Sequence, residues 1–102
     1  MKRAMILSAI IGLIFFASAK LSFSSATSFG DGTFIVGKDI QPGTYRSRGG
    51  DDCIWERLSG FGGTFSDVIA SDTMSKNPIV TIEPIDKGFK SENCGIWHRV
   101  SK

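Results

Sequence analysis

Cys53 and Cys94 are the only two cysteines in the chain, and each opens nearly the same phrase: "CIWERLS" and, with one glycine inserted, "CGIWHRVS". The only two tryptophans, Trp55 and Trp97, lie inside these phrases together with Arg57 and Arg99. Two isolated thiols separated by about forty residues lack the clustering that zinc ligation or a redox pair requires. Their expected chemistry is a disulfide with each other, formed where oxidising conditions let it persist.

The remaining reactive side chains point away from catalysis. His98 is the single histidine, and on a strand it faces opposite Trp97, toward the surface, with no partner placed by motif. No Gly-x-Ser-x-Gly elbow is present to activate a serine. "GDG" at 30–32 and "GGDD" at 49–52 lack the repeated oxygen ligands of a calcium loop, and "GFGG" at 60–63 precedes neither a phosphate-binding lysine nor a helix. The sequence therefore predicts no catalytic residue, no metal site and no cofactor: not an enzyme. Two features are left for binding. Alternation sets Arg57 on the face of Cys53 and Trp55, and a bulge sets Arg99 likewise: at a strand end with its stem along apolar surface, in a structural ion pair with a carboxylate, or as a grip on an anionic ligand. Phe61, with Phe65 across a Gly-Gly pair, sits in a loop where an aromatic side chain can contact a partner.

These residues need elements to position them, and the first 26 residues do not supply any. Lys2 and Arg3 precede an uncharged run from Ala4 to Ala19, shorter than the ~20 residues that a membrane span usually needs. This is the pattern of a secretory signal peptide, with small-residue cleavage motifs ending at Ala19 and at Ala26; an uncleaved anchor is the alternative. No cysteine lies near either motif to accept a lipid. The domain proper is expected over 27–102, secreted or associated with the cell envelope, with no stable membrane insertion after cleavage. The whole chain carries 12 basic and 10 acidic residues, but the leader takes Lys2, Arg3 and Lys20 with it, leaving 9 against 10. No basic surplus remains to favour nucleic acid.

About 76 residues make one small domain, for which a covalent staple is a large fraction of the stability. Residues 20–29, "KLSFSSATSF", read as a linker. Thereafter short β-branched and aromatic stretches alternate with Gly, Pro, Asp and Asn turns, predicting strands near 33–36, 44–48, 53–58, 68–71, 79–83, 88–91 and 96–100. "FSDVIASD" has room for one helical turn, with Ser66 as its cap. The expected fold is all-β, a small antiparallel sandwich or barrel of six to seven strands. The doubled phrase extends upstream, matching Tyr45 with Phe89, Arg46 with Lys90 and Ser47 with Ser91, so each copy reads as one β-hairpin. Two related hairpins would then face each other across Cys53–Cys94. Trp55, Trp97, Tyr45 and Phe89 would form the core, and a β-bulge at Gly95 would absorb the inserted residue.

The runs "VGKDIQPGTYRS", "CIWERLSGFGG" and "VTIEPIDKGFKSENCGIW" resemble a family of small secreted or lipid-anchored bacterial domains, mostly Gram-positive, without an assigned activity. The resemblance implies an exported, disulfide-closed β domain and no catalytic residues. The resulting expectation is a binding module of the bacterial envelope or exterior with an unknown protein or glycan partner. A secreted inhibitor or toxin-like effector acting on a foreign protein is the alternative.

Overall fold

The computed structural model describes residues 25–101. The expected signal peptide, 1–26, lies outside the described residues apart from Ser25 and Ala26. Eight strands follow one another: β1 (Ser28–Phe29), β2 (Gly32–Ile35), β3 (Gly43–Arg46), β4 (Ile54–Leu58), β5 (Val68–Thr73), β6 (Ile79–Ile82), β7 (Gly88–Glu92) and β8 (Trp97–Ser101). They form two antiparallel four-stranded sheets, one ordered β1-β8-β3-β6 and the other β2-β7-β4-β5. β1 arises inside the segment expected to be a linker. Its two residues pair with His98 and Trp97, a contact that local composition does not announce. The helical turn near "FSD" is a 3-10 turn, Phe65–Asp67, and its N-cap is Thr64 rather than Ser66.

The sheets pack face to face around Phe29, Ile40, Tyr45, Cys53, Val80, Ile82, Phe89, Cys94 and Trp97. Aromatic rings carry the contact between layers: Phe29 lies 4.9 Å from Phe34, and Phe89 meets Trp97 edge-on at 5.3 Å. Cys53 and Cys94 form a disulfide with Cα atoms 4.5 Å apart.

The doubled phrase folds differently from the expected hairpins. β3 pairs with β6 and β8, while β4 pairs with β5 and β7, so the two strands of the first copy lie in different sheets. The same holds for β7 and β8. Each copy is a crossing from one sheet to the other, and the copies pair with each other rather than within themselves. The reason is burial: Tyr45 and Trp97 line one inner face and Phe89 the opposite one, so each copy feeds both layers of the core.

An approximate two-fold relation results, and it holds at the level of register. Tyr45 pairs with Arg99, as its counterpart Phe89 pairs with Arg57. Arg46 pairs with His98, as Lys90 pairs with Glu56. The outer strands obey it too, β6 beside β3 as β2 beside β7, and β1 beside β8 as β5 beside β4. The disulfide joins the copies where they cross.

Gly95 is not a bulge within a strand. It is exposed, outside the core in which it was expected, at φ +85° in the short crossing between β7 and β8. Glycine takes that backbone angle without a Cβ penalty. The register shift in this region falls between Thr44 and Tyr45, opposite Ser101 and Arg99, so Val100 is the unpaired residue of β8.

Candidate functional site

Both arginines of the repeat are occupied in holding loops. The guanidinium of Arg57 donates two hydrogen bonds to Asp86, from Nε to Oδ2 at 2.7 Å and from Nη2 to Oδ1 at 3.0 Å. Asp86 lies in the loop between β6 and β7 with a fully buried carboxylate, which also accepts the backbone N–H of Glu83. The forked bond to Asp86 raises the Arg57 pKa, so the guanidinium stays charged. Arg99 donates to Oε1 of Gln41, in the loop between β2 and β3 that is equivalent by the two-fold. The hydroxyl of Tyr45 secures the same loop by donating to the Gln41 carbonyl at 2.6 Å. Each copy thus uses its arginine to fasten the other copy's connecting loop.

Replacing Arg57 with Met is expected to destabilise the fold by about 3 kcal/mol, because it strands a buried carboxylate. Arg99→Met removes one bond to a neutral amide and is expected to cost about 1 kcal/mol. Urea unfolding of the two variants checks the contrast, and equal losses would contradict it.

The two tryptophans differ in the same way. Trp97 is fully buried, and its indole N–H donates to Ser91 Oγ at 2.8 Å, which in turn donates to Asp31 Oδ1 at 2.8 Å. Trp55, expected in the core, is only half-buried against Phe89, its N–H directed to Ser75 Oγ at 3.3 Å. The neighbouring strands explain the difference: Phe29 pairs beside Trp97, whereas exposed Asp72 pairs beside Trp55.

Asp31 also accepts the backbone N–H of Cys94 at 2.9 Å, anchoring the disulfide crossing. Partial desolvation raises its pKa, but the bonds from Cys94, Ser91, Gly95 and Asn93 together outweigh that and hold it below its ordinary 3.8. A depressed carboxylate contributes stability that is present above its unfolded pKa and lost as pH falls through the folded one. Thermal unfolding of the wild type is therefore expected to drop more steeply below about pH 4 than that of Asp31→Asn. Parallel curves would remove Asp31 from this role.

Ala26, at the second of the two expected cleavage motifs, is also engaged. The Ala26 N–H donates to the Asp39 carbonyl at 3.0 Å, and its own carbonyl accepts from Gln41 N–H at 2.9 Å. Cleavage after Ala19 preserves both bonds, and cleavage after Ala26 removes them. The exported chain is expected to begin at Lys20, which intact-mass measurement of secreted protein checks.

Concave surfaces are open to a ligand at three places among the described residues, the smallest, about 480 Å³, beside Asp31 and Ser91. The glycine-rich loop after β4 is tied by Asp67, whose carboxylate accepts the Gly62 N–H at 2.7 Å and whose carbonyl accepts that of Ser59. It lays the ring of Phe61 over Gly88 so closely that a Cβ there would sit 2.5 Å from the ring. Phe61 is thus partly engaged at 54% exposed, while Phe65 stands out at 94%. A cleft of about 600 Å³ lies beside this loop, with Thr33, Glu56 and Lys90 on its sheet side.

The larger groove, about 980 Å³, runs across the outer face of the first sheet and over the disulfide crossing. Arg46, Arg48 and His98 line it with Asn77, Asn93, Ile96 and Val100, and no carboxylate does. Ser47 also lines it, and its buried hydroxyl has no hydrogen-bond partner, unlike the equivalent Ser91. His98 Nδ1 is 3.4 Å from Ser28 Oγ, an exposed contact on the same face. The groove residues were not singled out as a site in the sequence. The available signal was the non-identity of the copies at Arg46/Lys90, Arg48/Glu92 and His98/Glu56.

A disulfide-closed all-β domain with Arg57, Arg99 and Asp31 committed to structure and open concavities on its surface is the class defined here. Matching residues 26–98, the chain belongs to the Rv1352-like extracellular domain family. It is an extracellular protein, and among the described residues no helix is long and apolar enough to cross a membrane. It is similar to the uncharacterized protein Rv1352 of Mycobacterium tuberculosis and the uncharacterized protein Mb1387 of Mycobacterium bovis. Each is 31% identical over 86 residues, covering 71% of this chain and 70% of the relative. No solved structure matches.

Proposed function

We propose that this protein is a non-catalytic recognition module of the bacterial exterior, with the groove on the outer face of the first sheet as its contact surface. The observation that carries this reading is a charge difference between two otherwise equivalent faces. Arg46, Arg48 and His98 stand where the second sheet has Lys90, Glu92 and Glu56, and there Lys90 is paired to Glu92 at 3.1 Å. One face pairs its lysine with Glu92 and keeps Glu56 besides; the other has two arginines and, among the described residues, no carboxylate to satisfy them. Further support comes from the rest of the molecule, where Arg57, Arg99 and Asp31 hold the scaffold and are not free for chemistry.

A second reading, a secreted inhibitor or effector that inserts a loop into a foreign protein, is favoured by Phe65, an almost fully exposed ring on a loop braced by Asp67. Photo-crosslinking side chains placed at Ile96, in the groove, and at Phe65 separate the two. Crosslinks to extracellular or envelope material from position 96 support the module. Crosslinks confined to position 65 support loop insertion, and none from either site overturns both.

A further inference from the structure

We infer that the groove on the first sheet docks an acidic, aliphatic-rich segment of a partner protein; this rests on the recognition-module reading and names its ligand class. The charge argument comes first. Between residues 25 and 101 acidic side chains outnumber lysines and arginines, yet the groove holds two arginines and no carboxylate. Neither Arg46 nor Arg48 has a carboxylate partner among the described residues, and both are exposed. They lie two residues apart along one extended stretch, so their Cα atoms are roughly 7 Å apart. That separation matches every second residue of an extended peptide, where side chains return to the same face.

The apolar lining identifies the backbone that carries those acids. Ile96 and Val100 are each 54% exposed in the groove, and Ile79, paired with Arg46 on the adjoining strand, is 60% exposed. Aliphatic side chains interleaved with arginines suit a protein segment that alternates carboxylates with branched apolar residues. A sugar ring would find no phenyl, phenol or indole face to stack on among the lining residues. The equivalent positions on the second sheet make the contrast internal: Thr33 replaces Ile79, and Glu56 and Glu92 replace His98 and Arg48. The same scaffold thus has one face whose lysine is matched by carboxylates and one whose arginines, set among exposed aliphatic side chains, are not.

The test uses the oxidised, exported protein and fluorescein-labelled probes read by anisotropy. The probes are an alternating glutamate–valine hexapeptide, a glutamate–serine version, a lysine–valine version, and polygalacturonate as an acidic glycan. The glutamate–valine peptide is expected to bind saturably, and more weakly as salt is raised. Binding should fall about tenfold or more for Arg46→Glu/Arg48→Glu, and comparably when serine replaces valine in the probe. The double variant should gain affinity for the lysine–valine peptide, while Lys90→Glu on the opposite face leaves the glutamate–valine peptide unaffected.

Absence of saturable glutamate–valine binding overturns the inference, as does equal binding of the glutamate–serine peptide or polygalacturonate, which would make the groove a general anion site. If position 96 still crosslinks to extracellular material in either case, the module stands and only the ligand class falls.

Discussion

Trp97→Ala is expected to lower the unfolding free energy by about 4–5 kcal/mol, near the top of the range for removing a buried aromatic side chain. Three features place it there. The indole is fully buried, it packs edge-on to Phe89 and beside Phe29, and its N–H leads into the hydrogen-bonded chain through Ser91 to Asp31. Truncation opens a cavity between two sheets that a disulfide holds together, so collapse around the void is restricted. It also leaves Ser91, itself buried, short of its donor. Trp55→Ala is expected to cost roughly half as much, since that indole is half-buried and flanked by Asp72 rather than Phe29. Urea denaturation of both variants measures the difference. Equal losses would mean that the flanking strands do not set the depth of burial.

The second large effect belongs to the bridge. Replacing Cys53 and Cys94 together with Ala is expected to remove about 4 kcal/mol, from the closure entropy of a loop of roughly forty residues. For a domain of this size that is a large share of the whole. Among the described residues the buried apolar set is ten side chains, two of which are the cysteines themselves. The bridge also sits where the two copies cross, tying β4's approach to the turn after β7. Losing it should loosen the sheets against each other as well as enlarge the unfolded ensemble. Chemical denaturation of the double variant, against wild type under oxidising conditions, gives the number. A loss under about 1 kcal/mol would show that packing alone closes the sandwich.

If the groove carries recognition, these stability effects and the binding effects separate cleanly. Arg46, Arg48 and Ile96 are exposed and outside the core, so changing them should move affinity with little effect on unfolding. Trp97 and the disulfide should do the reverse, acting on binding only through the fraction folded.

Chain order and chemistry alone were enough for the all-β class, for seven of the strand positions, and for a bond between two cysteines that open a repeated phrase. These are local or compositional signals: turn residues at short intervals, β-branched runs, and two thiols with no other partner. The pairing of strands was not local. Each copy of the phrase looks like a hairpin because its halves are adjacent in sequence. Burying Tyr45 and Trp97 on one inner face and Phe89 on the other requires those halves to part into different sheets. The unequal tryptophans, the fastening roles of Arg57 and Arg99, and the existence of β1 all follow from that exchange of partners. So does the basic groove, because Arg46, Arg48, His98 and Ile96 belong to different copies and meet only when β3 is laid against β8. Side-chain type decides what can be buried; only the assembled sheets decide which residues share a face.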